Sequence, residues 1–240
     1  MERTFQLYLY DTNEFRREAI PSSQRTRFFT SLASLNDSCR LWDMQIERNA
    51  QEYGFQLRIA TRRSPKKRVL GAYYAHQIRM FANIWGLGAQ LKEDPEAWVI
   101  YVGLPKKSPR LAETSLAKSV RGVEFSDYVF FEQWSRPAKE EDLEKIGFSA
   151  LFYALKFSMP ETQGFPWRFI LQRDTIEFYR FGNSSQTVYR EAGALMAAFA
   201  QLMAQEGLSF TWRIAPRYGE YRFYAGMAML EKCFSEFELA

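Results

Sequence analysis

The sequence predicts an α+β fold of two split β-α-β units, each an antiparallel sheet covered by helices. Three observations carry this. Short apolar stretches alternate with period two, as in Phe5–Tyr10 and Phe55–Arg63, while Phe28, Leu32 and Leu35 recur at helical spacing. A set of words also occurs twice: Ser22-Ser23-Gln24 and Ser184-Ser185-Gln186 each open a helix, and Arg58-Ile59-Ala60 and Arg213-Ile214-Ala215 each lie in a strand. Phe55/Phe210 and Arg62/Arg217 share the spacing of the Arg-Ile-Ala pair, but the Ser-Ser-Gln pair needs a spacing seven residues different. A pseudo-duplication and an unrelated likeness of geometry both stand as origins.

In chain order, Phe5, Leu7 and Leu9 share one face of a first strand, with Tyr8 and Tyr10 on the other. Ser22 or Ser23 caps a helix, Asn36-Asp37 interrupts it, and a second helix bearing Leu41, Met44 and Ile46 runs to Gly54. Phe55–Arg63 and Arg68–Tyr74 read as a hairpin turned at Ser64-Pro65, followed by a helix from Ala75 and a short strand at Trp98–Val102. That order is the ferredoxin-like layout, in which one sheet face stays open. It places the first unit at residues 1–104.

Residues 105–164 read as a packed, partly helical connector, beginning with the basic loop Pro105–Pro109 and carrying a helix through Phe148, Leu151, Phe152 and Leu155. The second unit occupies 165–240. It has strands about Asp174-Thr175, a helix from Ser185 to Gln205, a strand to Pro216, a turn at Tyr218-Gly219, a strand to Ala225 and a last helix. One compact domain built from both units stands as the alternative organisation.

Composition supports a packed globular chain: 240 residues, 47% hydrophobic and 25% charged, leave ample apolar surface for a core. The 21 Phe, 13 Tyr and 6 Trp exceed what one core uses, so some aromatic side chains are expected on a binding surface. A net charge of +4 permits an anionic partner without requiring one. Cys39 and Cys233 cannot make a disulfide framework and are read as buried thiols in a reducing compartment. With neither a signal peptide at the start nor an apolar run of membrane-spanning length, a cytoplasmic protein without membrane contact is expected.

Several chemistries find no residues here. One histidine, His76, stands at no metal-ligand spacing from the cysteines, so neither a zinc site nor any other metal site is expected. Gly86-Leu87-Gly88 lacks the rest of a dinucleotide fingerprint and of a P-loop, and there is no nucleophile elbow, so no small-molecule cofactor is expected. The acidic run Glu140-Glu141-Asp142 reads as the first turn of a helix.

The strongest charge signal is Arg58, Arg62, Arg63, Lys66, Lys67 and Arg68, six cations in eleven residues without an acid. On a hairpin they would project as an electrostatic finger toward phosphate oxygens, with Tyr8 and Tyr73 placed to stack bases. Arg68–Tyr74 resembles the basic-Gly-aromatic motif of RNA-binding domains, too degenerately to identify one. The function expected is therefore a non-catalytic protein contacting nucleic acid through Arg58, Arg62, Arg63, Lys66, Lys67, Arg68, Tyr8 and Tyr73. A protein-binding inhibitor of the immunity type is the alternative partner reading. Third comes a metal-independent endoribonuclease with His76, Tyr73 or one of the cations as acid-base group.

Overall fold

A computed structural model describes residues 14–61, 64–106, 122–156, 165–182, 187–219 and 222–230. The first strand with Tyr8 and Tyr10, the pair Arg62-Arg63, the basic loop beyond Lys106, the second Ser-Ser-Gln word and Cys233 lie outside these residues. Two compact units emerge. Among the described residues, one holds 14–106 with Ala192–Ala197, and the other holds 122–191 and 198–230.

The first unit opens with α1, Ser22–Arg40, whose buried stripe is Phe28, Leu32, Leu35 and Cys39. The helix runs through Asn36-Asp37 without a break, and Asn36 Oδ1 accepts the Ile46 N–H instead. Then come β1 (Ile46–Gln51), β2 (Gly54–Ala60), α2 (Pro65–Ile84), β3 (Gly88–Asp94) and β4 (Ala97–Gly103). The sheet order is β1-β2-β4-β3, antiparallel throughout. Hairpin, helix, hairpin is thus the topology, in place of the split β-α-β layout expected.

Local chemistry explains each difference. Residues 46–51 were expected in a helix; they are a strand whose side chains are almost all exposed, so the edge leaves no alternation to read. Residues 68–74 were expected in a strand, yet they lie inside α2. Ser-Pro begins that helix: the Ser64 Oγ accepts the Lys67 N–H at 3.4 Å, and Pro65 occupies the first helical position, where a missing N–H costs nothing. Because α2 is buried on most of its circumference, its apolar residues do not form a single stripe.

Gly71 lets α2 lie close on the sheet. A Cβ there would meet Thr61 Cγ2 and Trp98 Cδ1, each at 2.8 Å. The Trp98 indole N–H donates to the Arg68 carbonyl at 3.2 Å, which fixes the register of helix on strand.

The second unit comprises α3 (Phe125–Tyr128), β5 (Val129–Phe131), α4 (Glu140–Lys145), α5 (Ser149–Lys156), β6 (Trp167–Leu171), β7 (Thr175–Phe181), α6 (Val188–Gln205, apart from Ala192–Ala197), β8 (Phe210–Tyr218) and β9 (Arg222–Leu230). Its sheet runs β5-β6-β7-β9-β8, with β5 parallel to β6 and the remaining pairs antiparallel. The stretch read as part of a connector therefore supplies a strand to this sheet. Residues 226–230, read as the start of a last helix, extend β9.

Rings fill the core of this unit. Phe178 meets Phe169, Phe199 and Trp212 at centroid distances of 5.1, 5.2 and 5.3 Å. Offset and edge-on pairs of this kind add to burial itself.

Both units contain hairpin, helix, hairpin, with the second strand of the first hairpin paired to the last strand: β2 with β4, and β7 with β9. The internal likeness is thus one of topology. The repeated words do not follow it, since Arg58-Ile59-Ala60 lies in β2, whose counterpart is β7, while Arg213-Ile214-Ala215 lies in β8.

Candidate functional site

The basic stretch is rebuilt by the fold. Lys66, Lys67 and Arg68 occupy the first turn of α2, with no acid among them, and Arg58 stands on β2. The helix start presents partial positive charge and cationic side chains together, a combination that suits an anion. Of the cations expected on a hairpin finger, Lys66, Lys67 and Arg68 are therefore gathered at a helix start.

Most of these cations have partners. Lys67 Nζ donates to the Asp43 carbonyl and to Asp43 Oδ2, both at 2.8 Å. Asp43 reaches them from a left-handed turn with φ of 53°. Arg68 pairs with Glu93 of β3, and Arg58 Nη1 donates to Glu47 Oε2 at 3.3 Å. Lys66 Nζ lies 4.6 Å from the centroid of the Trp42 ring, exposed to solvent on its other side. Three of the four described cations are thus matched to carboxylates, and Lys66 is the one held by a ring.

Tyr73 does not lie on an open sheet face. It is a helical residue whose hydroxyl accepts the Gln77 side-chain N–H at 2.7 Å and whose ring meets Tyr74 at 5.1 Å. Tyr74 donates to the Ser38 carbonyl at 3.1 Å, and burial pushes its phenol well above the usual range. Burial likewise pushes the Cys39 thiol up to about 12, as expected of an inert thiol inside a helix pair.

One feature of α2 escaped the sequence. His76, Arg79 and Asn83, at 2%, 4% and 7% exposure, form a buried polar stripe along one helix face. Their spacing of three and four residues was the available signal. Among the described residues no three His, Cys, Asp or Glu side chains come together as a metal site, and no helix is long and apolar enough to cross a membrane.

No protein-family model matches the chain, and no curated protein matches it. A solved structure does. It is a crystal structure of a Thermotoga maritima protein provisionally named a nitroreductase, with a TM-score of 0.57 and 13% identity, covering 93% of this chain and 90% of that one. The likeness is one of fold.

It nonetheless overturns the functional expectation. The fold is shared with a protein named for redox catalysis, so the reading of the chain as a non-catalytic nucleic-acid binder, or as an immunity-type inhibitor, is corrected. The geometry departs from that expectation as well: Lys66, Lys67 and Arg68 begin a helix and form no hairpin finger, and Tyr73 lies within α2 and not on a sheet face where a base could stack.

Proposed function

We propose that the chain is an oxidoreductase that reduces nitro-type acceptors. The observation that carries this reading is the fold likeness, which extends over 93% of the chain. Fold is an argument by analogy. It gains weight from the size of the match, which takes in both units and not one common motif.

Such a reduction needs an electron carrier, in departure from the expectation of no cofactor, because a flavin or nicotinamide supplies the hydride that side chains lack. The donor set at the start of α2 suits the phosphate of such a carrier. Lys66 provides charge, the Ser64 cap fixes the helix end, and Asp43 and Glu93 hold Lys67 and Arg68 in place around it.

The test is a purified chain incubated with FMN or FAD, NADH or NADPH, and 4-nitrobenzoate, followed by loss of the reduced nicotinamide. Turnover dependent on a flavin is expected. Absence of flavin binding by fluorescence quenching, together with absence of turnover in every combination, would refute the proposal. Lys66→Glu should weaken flavin binding by about 0.3–1 kcal/mol, the usual worth of one charge at a helix end.

A further inference from the structure

The second unit has a cavity of about 520 Å³ lined in part by Val123, Glu124, Ser126, Glu140, Tyr153 and Lys156. Lys156, the last residue of α5, is 8% exposed. Lysine is among the residues least often buried, so its position needs an explanation. Its Nζ donates to the Val123 carbonyl at 3.0 Å and lies 5.1 Å from the centroid of the Tyr153 ring.

These contacts hold the amine at the cavity wall. Burial lowers the Lys156 pKa, and the nearby Glu140 carboxylate opposes this with the smaller effect. A larger share of the amine is therefore neutral than in an exposed lysine, and neutral nitrogen is the nucleophile. A carboxylate beside it can accept and return protons.

We infer that this cavity is a second site, at which the Lys156 amine takes up a small aldehyde or ketone as an imine. The nitrogen lone pair adds to the carbonyl carbon, and the oxygen gains a proton to give a carbinolamine. Water then leaves as the C=N bond forms. The two hydrogens of the amine end in that water, so amine and carbonyl give imine and water with no change of oxidation state. Glu140, which lines the same cavity, would carry the proton between them.

The test uses the full chain with benzaldehyde and sodium cyanoborohydride, which reduces the imine to a stable benzylamine, and maps the label by peptide mass spectrometry. At pH 7 Lys156 should label several-fold faster than Lys145, whose side chain is 72% exposed. Equal or slower labelling of Lys156 would show that burial only shields it, and would overturn the inference.

A second measurement guards against a variant that does not fold. The titratable groups that line the cavity with the amine are Glu140, Glu141 and Lys139 on α4 and its entry, Glu124 at the entry to α3, and Tyr153 on α5 itself. Glu140→Gln removes the charge that raises the amine, so the pH profile of labelling should move to lower pH. An unmoved profile would remove Glu140 from the site and sink the proposed proton shuttle. In Lys156→Arg the selective label should vanish, and its persistence elsewhere in the cavity would refute the assignment to this nitrogen.

Discussion

Gly71→Ala tests whether close contact of α2 with its sheet governs the first unit. In an open helix this change stabilises by about 0.8–1 kcal/mol, because alanine loses less backbone entropy. Here the new methyl would lie 2.8 Å from both Thr61 Cγ2 and Trp98 Cδ1. Ordinary carbon contact requires α2 or its neighbours to retreat by roughly 0.7–1.2 Å.

Neither neighbour yields easily. Thr61 and Trp98 are each 1% exposed, and the Trp98 indole is tied to the Arg68 carbonyl. Overpacking of this kind costs about 1–3 kcal/mol. A weakened Trp98 hydrogen bond adds about 0.5–1.5 kcal/mol. After the propensity gain the net effect is a loss of about 2 kcal/mol, a fall in melting temperature of about 4–8 °C for a chain of this size. Thermal unfolding followed by circular dichroism measures it, and Thr61→Ser, which removes one clashing methyl, should recover part of the loss. A Gly71→Ala protein stabilised by about 1 kcal/mol would refute the reasoning.

Further outcomes follow from other contacts. Glu191→Gln should destabilise by about 3 kcal/mol in chemical denaturation, because Arg180 Nε donates to Glu191 Oε2 at 2.6 Å with both side chains mostly buried, and a loss below about 1 kcal/mol would contradict it. Phe178→Ala should cost about 3–5 kcal/mol by removing the ring shared by Phe169, Phe199 and Trp212, measurable by the same unfolding curve. Cys39, with its folded pKa raised to about 12, favours the protonated native state. Its contribution is complete below the unfolded thiol's pKa near ~8.5 and declines as pH rises toward the folded value. Iodoacetamide at pH 8 should therefore mark the Cys39 peptide slowly in the native chain and rapidly in denaturant, and equal rates would show an accessible thiolate.

Much of the fold was legible where local chemistry and burial agree. The Phe28, Leu32 and Leu35 stripe marks α1, and the alternation expected over Phe55–Arg63 marks β2, which spans Gly54–Ala60. The helix expected to end at Gln205 does end there, and the strand expected to reach Pro216 continues to Tyr218. Legibility failed where tertiary context hides the pattern. β1 is an exposed edge with no apolar face, and α2 is buried nearly all round. At the candidate site the run of cations was legible, but Asp43 and Glu93 are distant in sequence from Lys67 and Arg68. Only folding shows that the positive run is largely balanced.

Sequence alone determined that this is an α+β chain with enough apolar residues for substantial cores, and that its cations concentrate between Arg58 and Arg68. It also contained the Ser64-Pro65 helix start, a local signal that was read as a turn. Tertiary structure decided the strand order, the shared hairpin-helix-hairpin topology, and which charges meet. The reason is physical: caps and periodicity act over one or two turns, whereas pairing β2 with β4, or Arg68 with Glu93, depends on packing that no local window contains.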